Sequence, residues 1–301
     1  MQYSTFAAID IGSYDVILEI FEISKKQGIR SVDKICHRME LGKDTYTLGK
    51  IRPEMEEELC RVLADFVRIM EGYRVDDYRA TASSAISEAS NSLYVLGKIH
   101  QLTGLSVTVL SNSEQRFLSY KALAAMEDNF NKIIEKGTAI LDLDGGSFQI
   151  SLFDKDALVT TQNIRMGSLR IRERLAGIQS ETEHYEEMVE ELIWNEVSSF
   201  KKMYLKDRKI ENIMLIGDVF TDSVYQNIEE KTTKIISREN FNTWYEKIIR
   251  QSPMELAVKL GIPLENASLM YPSAVIYKCL IDMMGAEHIW IPGVHMTRGI
   301  A

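Results

Sequence analysis

Cysteine and proline are scarce in this sequence. The three cysteines, Cys36, Cys60 and Cys279, lie far apart, and none of them forms a CxxC pair or a cluster with histidine. This spacing argues against a disulfide scaffold and against a structural zinc site, and it favours a reducing compartment. Because only five prolines occur, the sequence also lacks a long proline-rich linker between domains.

Positive charge is in the minority. The chain has 35 Lys and Arg against 44 Asp and Glu, which gives a net charge of −9. A protein with this charge has no general field that would attract DNA, RNA or an anionic membrane. We therefore expect neither a nucleic acid nor a membrane as a partner, and an anionic ligand would need a local binding site.

Long hydrophobic runs are absent as well. No apolar run approaches the ~20 residues that a transmembrane helix needs. The N-terminal segment lacks a basic region and carries Asp10, unlike a signal peptide. Together with the cysteine content, these features predict a cytoplasmic protein.

What remains is the composition of a globular protein, with 45% hydrophobic and 26% charged residues among 301. Residues 5–40 and 138–166 share a pattern of three strands joined by short turns. Each segment is followed by helices that alternate with short strands. An internal repeat of this length predicts two domains of like architecture with a cleft between them. We place these domains at residues 1–124 and 125–301.

The first turn of each repeated segment carries acidic and small residues. The first is Asp10-Ile-Gly-Ser13, and the second is Asp142-Leu-Asp-Gly-Gly-Ser147. The backbone N–H groups of such turns can bind phosphoryl oxygens while the acids hold a metal ion. Either turn alone is also a common hairpin turn, but their recurrence at matching positions favours a functional role.

Motifs from residue 6 to residue 300 resemble those of a known family. In chain order they are FAAIDIGSYDVILEI, ELGKDTYTLGKI, ATASSAISEASN, VLSNSEQRFLSYKAL, DLDGGSFQI, MGSLRIRE and the closing segment that runs from PSAVIYKC to HMTRGI. On these motifs the chain resembles the exopolyphosphatase/guanosine pentaphosphate phosphatase family, within the actin–hexokinase–Hsp70 fold group. The resemblance implies an α/β fold of two ribonuclease H-like domains around a central cleft.

The resemblance also implies a reaction. Water would release the terminal phosphate of inorganic polyphosphate or of a (p)ppGpp-type nucleotide, with Mg²⁺, or alternatively Mn²⁺, as cofactor. The partner would be a phosphorylated small molecule or polyphosphate, and a homodimer is compatible with the sequence.

Site residues follow by the same resemblance. Glu114 would activate the water from the start of a helix whose expected N-cap is Ser113. Asp142 and Gln149 complete the catalytic set. The residues expected to bind phosphoryl oxygens are Gly12, Ser13, Tyr14, Gly145, Gly146 and Ser147. Those expected to bind the metal ion are Asp10, Asp142 and Asp144.

Several residues of the family's phosphate-binding and catalytic motifs are replaced in this chain. Ile17 and Ser87 stand where the family carries arginine, and Gln149 stands where it carries glutamate. The other replacements at these motifs are Tyr14, Asp15, Asp144, Asp218 and Thr297. A charge-assisted bond from arginine to phosphate contributes about 1.5–3 kcal/mol. These changes should therefore weaken direct phosphate binding.

Two interpretations follow from the replacements. In the first, which we favour, the protein remains a phosphoric anhydride hydrolase, and its acids recruit additional metal in place of the missing arginines. Those acids are Asp10, Asp15, Asp142, Asp144 and Glu114. In the second, the protein binds a phosphorylated ligand or a protein partner without hydrolysing it. Further positive charge could come from Arg116, Arg165, Arg170 or Arg172.

Overall fold

The computed structural model describes residues 3–26, 28–126, 130–176, 185–206, 208–217, 220–221, 223–224 and 235–301. Contacts divide the chain into two compact units. Unit 1 extends to Ala122 and includes His295–Ala301, and unit 2 is Leu123–Val294. The sequence analysis drew its boundary after residue 124, whereas the contacts divide the chain after residue 122 and join residues 295–301 to unit 1.

Unit 1 contains a five-stranded sheet in the order β3–β2–β1–β4–β5. The strands are β1 (Ser4–Ile11), β2 (Asp15–Ser24), β3 (Gly28–Arg38), β4 (Asp77–Ala82) and β5 (Val107–Val109). β1, β2 and β3 form an antiparallel meander, and β4 and β5 extend the sheet in parallel with β1.

The helices of unit 1 follow the meander and connect the parallel strands. They are α1 (Leu41–Leu48), α2 (Pro53–Tyr73), α3 (Ser84–Ser87), α4 (Ser92–Thr103) and the part up to Ala122 of α5 (Asn112–Met126). α2 begins at a proline, which is favoured in the first helical turn because no N–H partner is needed there. Its apolar residues recur every three to four positions, so that Leu59, Leu63, Phe66 and Met70 form one stripe buried in the core.

Unit 2 contains a six-stranded sheet in the order β10–β11–β9–β6–β7–β8. The strands are β6 (Thr138–Leu143), β7 (Phe148–Asp154), β8 (Ala157–Ile164), β9 (Asn212–Ile216), β10 (Ile235–Ser237) and β11 (His288–Trp290). β6, β7 and β8 form an antiparallel meander, β9 and β11 run parallel to β6, and β10 pairs antiparallel with β11.

The helices of unit 2 include one that is buried along most of its length. They are α6 (Phe130–Ile134), α7 (Ser168–Leu175), α8 (Tyr185–Phe200), which continues into a π-helical turn (Lys201–Leu205), α9 (Arg238–Ile249), α10 (Pro253–Leu260) and α11 (Leu264–Met284). α11 packs against the four helices α7, α8, α9 and α10. This central position explains why its sequence is apolar on nearly every face.

The two units repeat one architecture, since each sheet consists of a three-stranded meander followed by parallel strands. The predicted α/β fold of two like domains is confirmed. No helix in the described part of the chain has both the length and the hydropathy to cross a membrane.

The last helix, α12 (Met296–Ile300), packs tightly within unit 1. A Cβ atom at Gly299 would lie 2.0 Å from the carbonyl oxygen of Leu118 in α5. The ammonium of Lys121 donates to the carbonyl of Gly299 at 2.9 Å, and Thr297 Oγ1 donates to the buried carboxylate of Glu19. Backbone contact thus holds the end of the chain against unit 1.

Two glycine substitutions are expected to change the free energy of unfolding in opposite directions. We expect Gly299→Ala to destabilise the fold by about 1–3 kcal/mol, because the new methyl group must displace backbone. Gly97→Ala should stabilise it by about 0.5–1 kcal/mol, since Gly97 is exposed in α4 with open space around it. Chemical denaturation followed by circular dichroism measures both effects. Equal midpoints for the two variants would contradict the tight contact at Gly299.

Candidate functional site

The hairpin turns after β1 and β6 close in the same way. The N–H of Gly12 donates to the carbonyl of Asp15 at 2.9 Å, and the N–H of Asp144 donates to the carbonyl of Ser147 at the same distance. The repeated sequence pattern therefore corresponds to a repeated structure.

An acid is the second-to-last residue of each strand that leads into a turn. Asp10 lies opposite Ile17 on β2, and Asp142 lies opposite Gln149 on β7. Both carboxylates are half-buried, whereas Gln149 is buried. The pairing thus brings together Asp142 and Gln149, two of the three residues predicted to be catalytic.

The backbone of the β6–β7 turn is held from one side by the start of α7. The carbonyl of Asp144 accepts from the N–H of Ser168 at 3.3 Å, and the carbonyl of Gly145 accepts from the N–H of Arg170 at 2.9 Å. The carbonyl of Gly146 accepts from Arg170 Nε at 2.8 Å. Gly167 permits this approach, because a Cβ atom there would lie 2.2 Å from the Asp144 carbonyl oxygen.

These bonds fix the direction of three N–H groups. A trans peptide is planar and points its carbonyl and the next N–H in opposite directions, and every peptide bond in the described residues is trans. The N–H groups of Gly145, Gly146 and Ser147 therefore point away from α7, towards one common side. Successive N–H groups with a shared direction form an anion-binding concavity. We call this group of three N–H groups the amide cradle.

A carboxylate already bonds to the amide cradle. Asp144 Oδ1 accepts a hydrogen bond from the N–H of Gly145 at 2.6 Å. The side chain that was expected to bind metal thus makes a short contact with an N–H that was expected to bind phosphate.

The β1–β2 turn is oriented by similar contacts. The carbonyl of Ser13 accepts from the N–H of Gly42 at 2.7 Å, and the carbonyl of Tyr14 accepts from the N–H of Met39 at 3.0 Å. By the same geometry, the N–H groups of Tyr14 and Asp15 point away from residues 39–42. This turn therefore presents two N–H groups in a common direction.

The hydroxyl of Ser13 belongs to a closed group of three. Ser13 Oγ lies 2.8 Å from the Tyr46 hydroxyl and 3.2 Å from Ser84 Oγ, and the last two lie 2.9 Å apart. Ser13 itself is fully buried. Its hydroxyl therefore fixes the turn to α1 and α3. The N–H groups of Tyr14 and Asp15 are better placed than this hydroxyl to meet an anion.

Arg38 is a candidate site residue that the sequence analysis missed. Its Nη1 donates to Asp15 Oδ2 at 2.9 Å, and its guanidinium carbon lies 5.8 Å from the centre of the Tyr14 ring. The sequence analysis counted Asp15 as added negative charge and Ile17 as a lost arginine. In the structure Asp15 is paired with Arg38, so this turn retains an adjacent arginine.

The pairing of β2 with β3 explains why Arg38 reaches this place. Asp10, Ile17 and Cys36 lie side by side across three strands, so their side chains share a face of the sheet. Arg38 is two residues beyond Cys36 and directly opposite Asp15. It therefore lies on the same face as Asp10. It is on the strand next to that of Ile17, which stands where the family carries arginine.

Glu114 forms a capping box at the start of α5. Its Oε2 accepts from the N–H and hydroxyl of Ser111 at 2.8 and 2.7 Å, and Ser111 Oγ accepts from the N–H of Glu114 at 3.3 Å. The N-cap is therefore Ser111 and not Ser113. The bond from the Ser111 backbone, its hydroxyl and the charge of Arg79 lower the pKa of Glu114, which is exposed.

The capping box of α5 lies at the edge formed by the carboxyl ends of the parallel strands. Because β1, β4 and β5 are parallel, their carboxyl ends meet along one edge. The β1–β2 turn, α3 and the start of α5 follow these three ends. In α/β sheets this edge is where ligands bind, so unit 1 gathers Ser13, Ser84 and Glu114 there.

Comparison with known proteins decides the family. The sequence model of the Ppx/GppA phosphatase family matches residues 19–300. The chain belongs to the Ppx/GppA phosphatase family. An exopolyphosphatase from Cytophaga hutchinsonii has the same fold, with a TM-score of 0.88 over 98% of this chain and 96% of that chain, at 17% identity. Family membership supports a phosphatase-type function.

Two curated relatives are similar in sequence. The bifunctional 3-dehydroquinate synthase/phosphatase of Fusobacterium nucleatum is 21% identical over 310 aligned residues, which cover 94% of this chain and 44% of that protein. Exopolyphosphatase 1 of Mycobacterium leprae is 25% identical over 144 residues, which cover 48% of this chain and 41% of that protein. The chain therefore matches less than half the length of either relative.

The structure shows the surroundings of several positions in the altered Ppx/GppA motifs. Thr297 bonds to Glu19, and Ser87 is exposed at the end of α3. Gly217 has a φ of 93°, and a Cβ atom there would lie 2.8 Å from Asp142 Oδ1, so this position next to an acid that was predicted to be catalytic requires glycine. Asp218 lies outside the described residues.

Two of the four candidate arginines make contacts that stabilise parts of unit 2. Arg170 holds the β6–β7 turn, whereas Arg172 donates to Glu173 and to Ser268 Oγ and so stabilises unit 2. Within the described residues of either unit, no three His, Cys, Asp or Glu side chains form a group that could hold a metal ion. The metal ligands therefore stay a prediction.

Proposed function

We propose that this Ppx/GppA protein is a phosphohydrolase that binds a terminal phosphoryl group of a phosphoanhydride at the β6–β7 turn. The observation that carries the proposal is the amide cradle, because three N–H groups with a fixed common direction suit an anion with several oxygens. A carboxylate oxygen at 2.6 Å from the first of them supports the interpretation of this turn as an anion site. The β1–β2 turn is a second candidate of similar construction.

An acid at the end of a strand in each unit is the metal ligand that we propose there. Asp10 and Asp142 are half-buried carboxylates, and Mg²⁺ prefers hard oxygen ligands of this kind. When bound, the ion would neutralise charge on the phosphoryl oxygens. Gln149, opposite Asp142, would orient a ligand or water by hydrogen bonding, since an amide does not serve as a base.

Glu114 would position water more than it would remove a proton from it. Hydrogen bonds from Ser111 lower the pKa of Glu114 and make its carboxylate a weaker base. Phosphoryl transfer depends mainly on positioning and charge stabilisation, and a carboxylate that orients the attacking water satisfies that need. This role would also be compatible with the capping box.

Phosphate release tests the proposal. The protein is incubated with tripolyphosphate, long-chain polyphosphate or guanosine pentaphosphate, each with Mg²⁺ and with Mn²⁺. We expect metal-dependent release, with similar rates on short and long polyphosphate at equal concentrations of chain ends, because a chain with a net charge of −9 lacks a general attraction for a long polyanion.

Two results would count against this function. If the folded protein binds tripolyphosphate but releases no phosphate, the second interpretation holds and the protein is a binding member of the family. If it neither binds nor hydrolyses any of the three compounds, the β6–β7 turn is not a phosphoanhydride site.

A further inference from the structure

We propose that the Asp144 carboxylate is a built-in competitor that the phosphoryl group must displace from the amide cradle. This inference rests on the proposed function. Its starting point is the 2.6 Å bond from the N–H of Gly145 to Asp144 Oδ1. At that distance the first N–H of the amide cradle is directed at a carboxylate of the protein itself, in a turn where the family carries glycine.

The remainder of the turn keeps the N–H groups in place when the carboxylate leaves. The three carbonyls of residues 144–146 are bonded to Ser168 and Arg170, and Gly167 lies against the turn. Rotation of the Asp144 side chain therefore breaks its bond to the N–H of Gly145 without a change in the backbone. The exchange is local, and it replaces one anion with another.

Competition of this kind lowers the apparent affinity for every phosphate ligand. If only a fraction of the molecules has the carboxylate away from the cradle, the dissociation constant increases by the inverse of that fraction. The displaced carboxylate also remains beside the bound phosphate, and like charges at short distance repel. Both effects act in the same direction.

The cost in free energy is the same for every ligand that must displace the carboxylate, but its consequence differs. A phosphoanhydride has further phosphoryl groups whose additional contacts keep it bound, whereas orthophosphate has only the group in the cradle. The Asp144 carboxylate therefore leaves orthophosphate, the product of the proposed reaction, weakly bound, and its return to Gly145 promotes product release.

The test compares three variants by calorimetric titration with orthophosphate and with tripolyphosphate. We expect Asp144→Gly to tighten the binding of orthophosphate, and of tripolyphosphate bound through the same cradle, by roughly tenfold or more. Asp144→Asn retains an oxygen acceptor for Gly145 but loses the charge, so its affinity should be intermediate. Glycine is compatible with this turn, since Gly12 occupies the equivalent position after β1.

Asp156→Gly is the matched control. Asp156 is an exposed acid in the next turn of the same meander, between β7 and β8, and its φ of 62° favours glycine. Its substitution changes the net charge by the same amount as Asp144→Gly. If the loss of one negative charge near the sheet were sufficient to tighten orthophosphate binding, the two variants would bind orthophosphate equally, and the proposal would be wrong.

The remaining outcomes separate the inference from the proposed function. If the wild type hydrolyses or binds tripolyphosphate but Asp144→Gly binds orthophosphate no better than the wild type, Asp144 is not a competitor, although the function stands. If Asp144→Gly fails to fold, Asp144→Asn decides by the same comparison. If neither the wild type nor any variant binds either compound, the proposed function fails, and the inference fails with it.

Discussion

Glu114→Gln is expected to reduce phosphate release by about 10²–10⁴-fold, the range usually lost when a group that assists proton transfer or orients the reacting water is removed. Glutamine has nearly the same shape and can still accept from Ser111, but it lacks the charge that orders a water molecule for attack. The rate of phosphate release at saturating substrate measures the effect, with thermal unfolding as a check of the fold.

Glu255→Gln is the matched control for this substitution. Glu255 forms a capping box with Ser252 at the start of α10, with the same three hydrogen bonds that join Glu114 to Ser111. The bonds from Ser252 lower the pKa of Glu255, as those from Ser111 lower the pKa of Glu114. We expect the two substitutions to lower the melting temperature similarly, and only Glu114→Gln to impair catalysis.

The pH dependence of stability provides a second check on Glu114. A carboxyl group whose pKa is lowered by folding stabilises the protein above its ordinary pKa, and this contribution disappears as the pH falls through the lowered value. The melting temperatures of the wild type and of Glu114→Gln should therefore converge in acid.

If phosphate release by Glu114→Gln equals that of the wild type, Glu114 serves only as a cap.

Arg38→Ala is expected to lower kcat/KM for tripolyphosphate by about 10–100-fold. The guanidinium lies beside the β1–β2 turn on the face that carries Asp10, and its bond to Asp15 uses one of its five N–H donors. A charge-assisted bond to phosphate of about 1.5–3 kcal/mol corresponds to this loss. Arg38→Lys should have an intermediate effect, because lysine keeps the charge but loses the planar fork of donors.

Arg30→Ala is the control for the loss of an ion pair between β2 and β3. Arg30 is directly opposite Glu22 and bonded to it, just as Arg38 is opposite Asp15. Arg30, however, is near the other end of the same two strands. Steady-state kinetics of both variants separate the two roles: equal losses would mean that Arg38 acts only through sheet stability, and an unchanged kcat/KM in Arg38→Ala would remove it from the site.

Much of the fold could be predicted from the sequence, because the signals for strands, helices and tight turns are local. The meanders at residues 5–40 and 138–166 alternate apolar runs with turn residues, and each run forms the expected strand. The three-residue strand β10 was missed, since so short a segment carries little pattern. The Ser111–Glu114 capping box was missed although its spacing of three residues is a sequence signal.

The sequence by itself determined the α/β architecture, the repeated acidic turns and the family resemblance, all of which depend on residues close together in the chain. Only the tertiary structure decided the charge balance of the turns. Arg38 reaches Asp15 through the register of two strands, and the carbonyls of residues 144–146 acquire their direction from α7, more than twenty residues away. Strand register and contacts between a turn and a distant helix depend on how whole elements pack, and no local pattern encodes that packing.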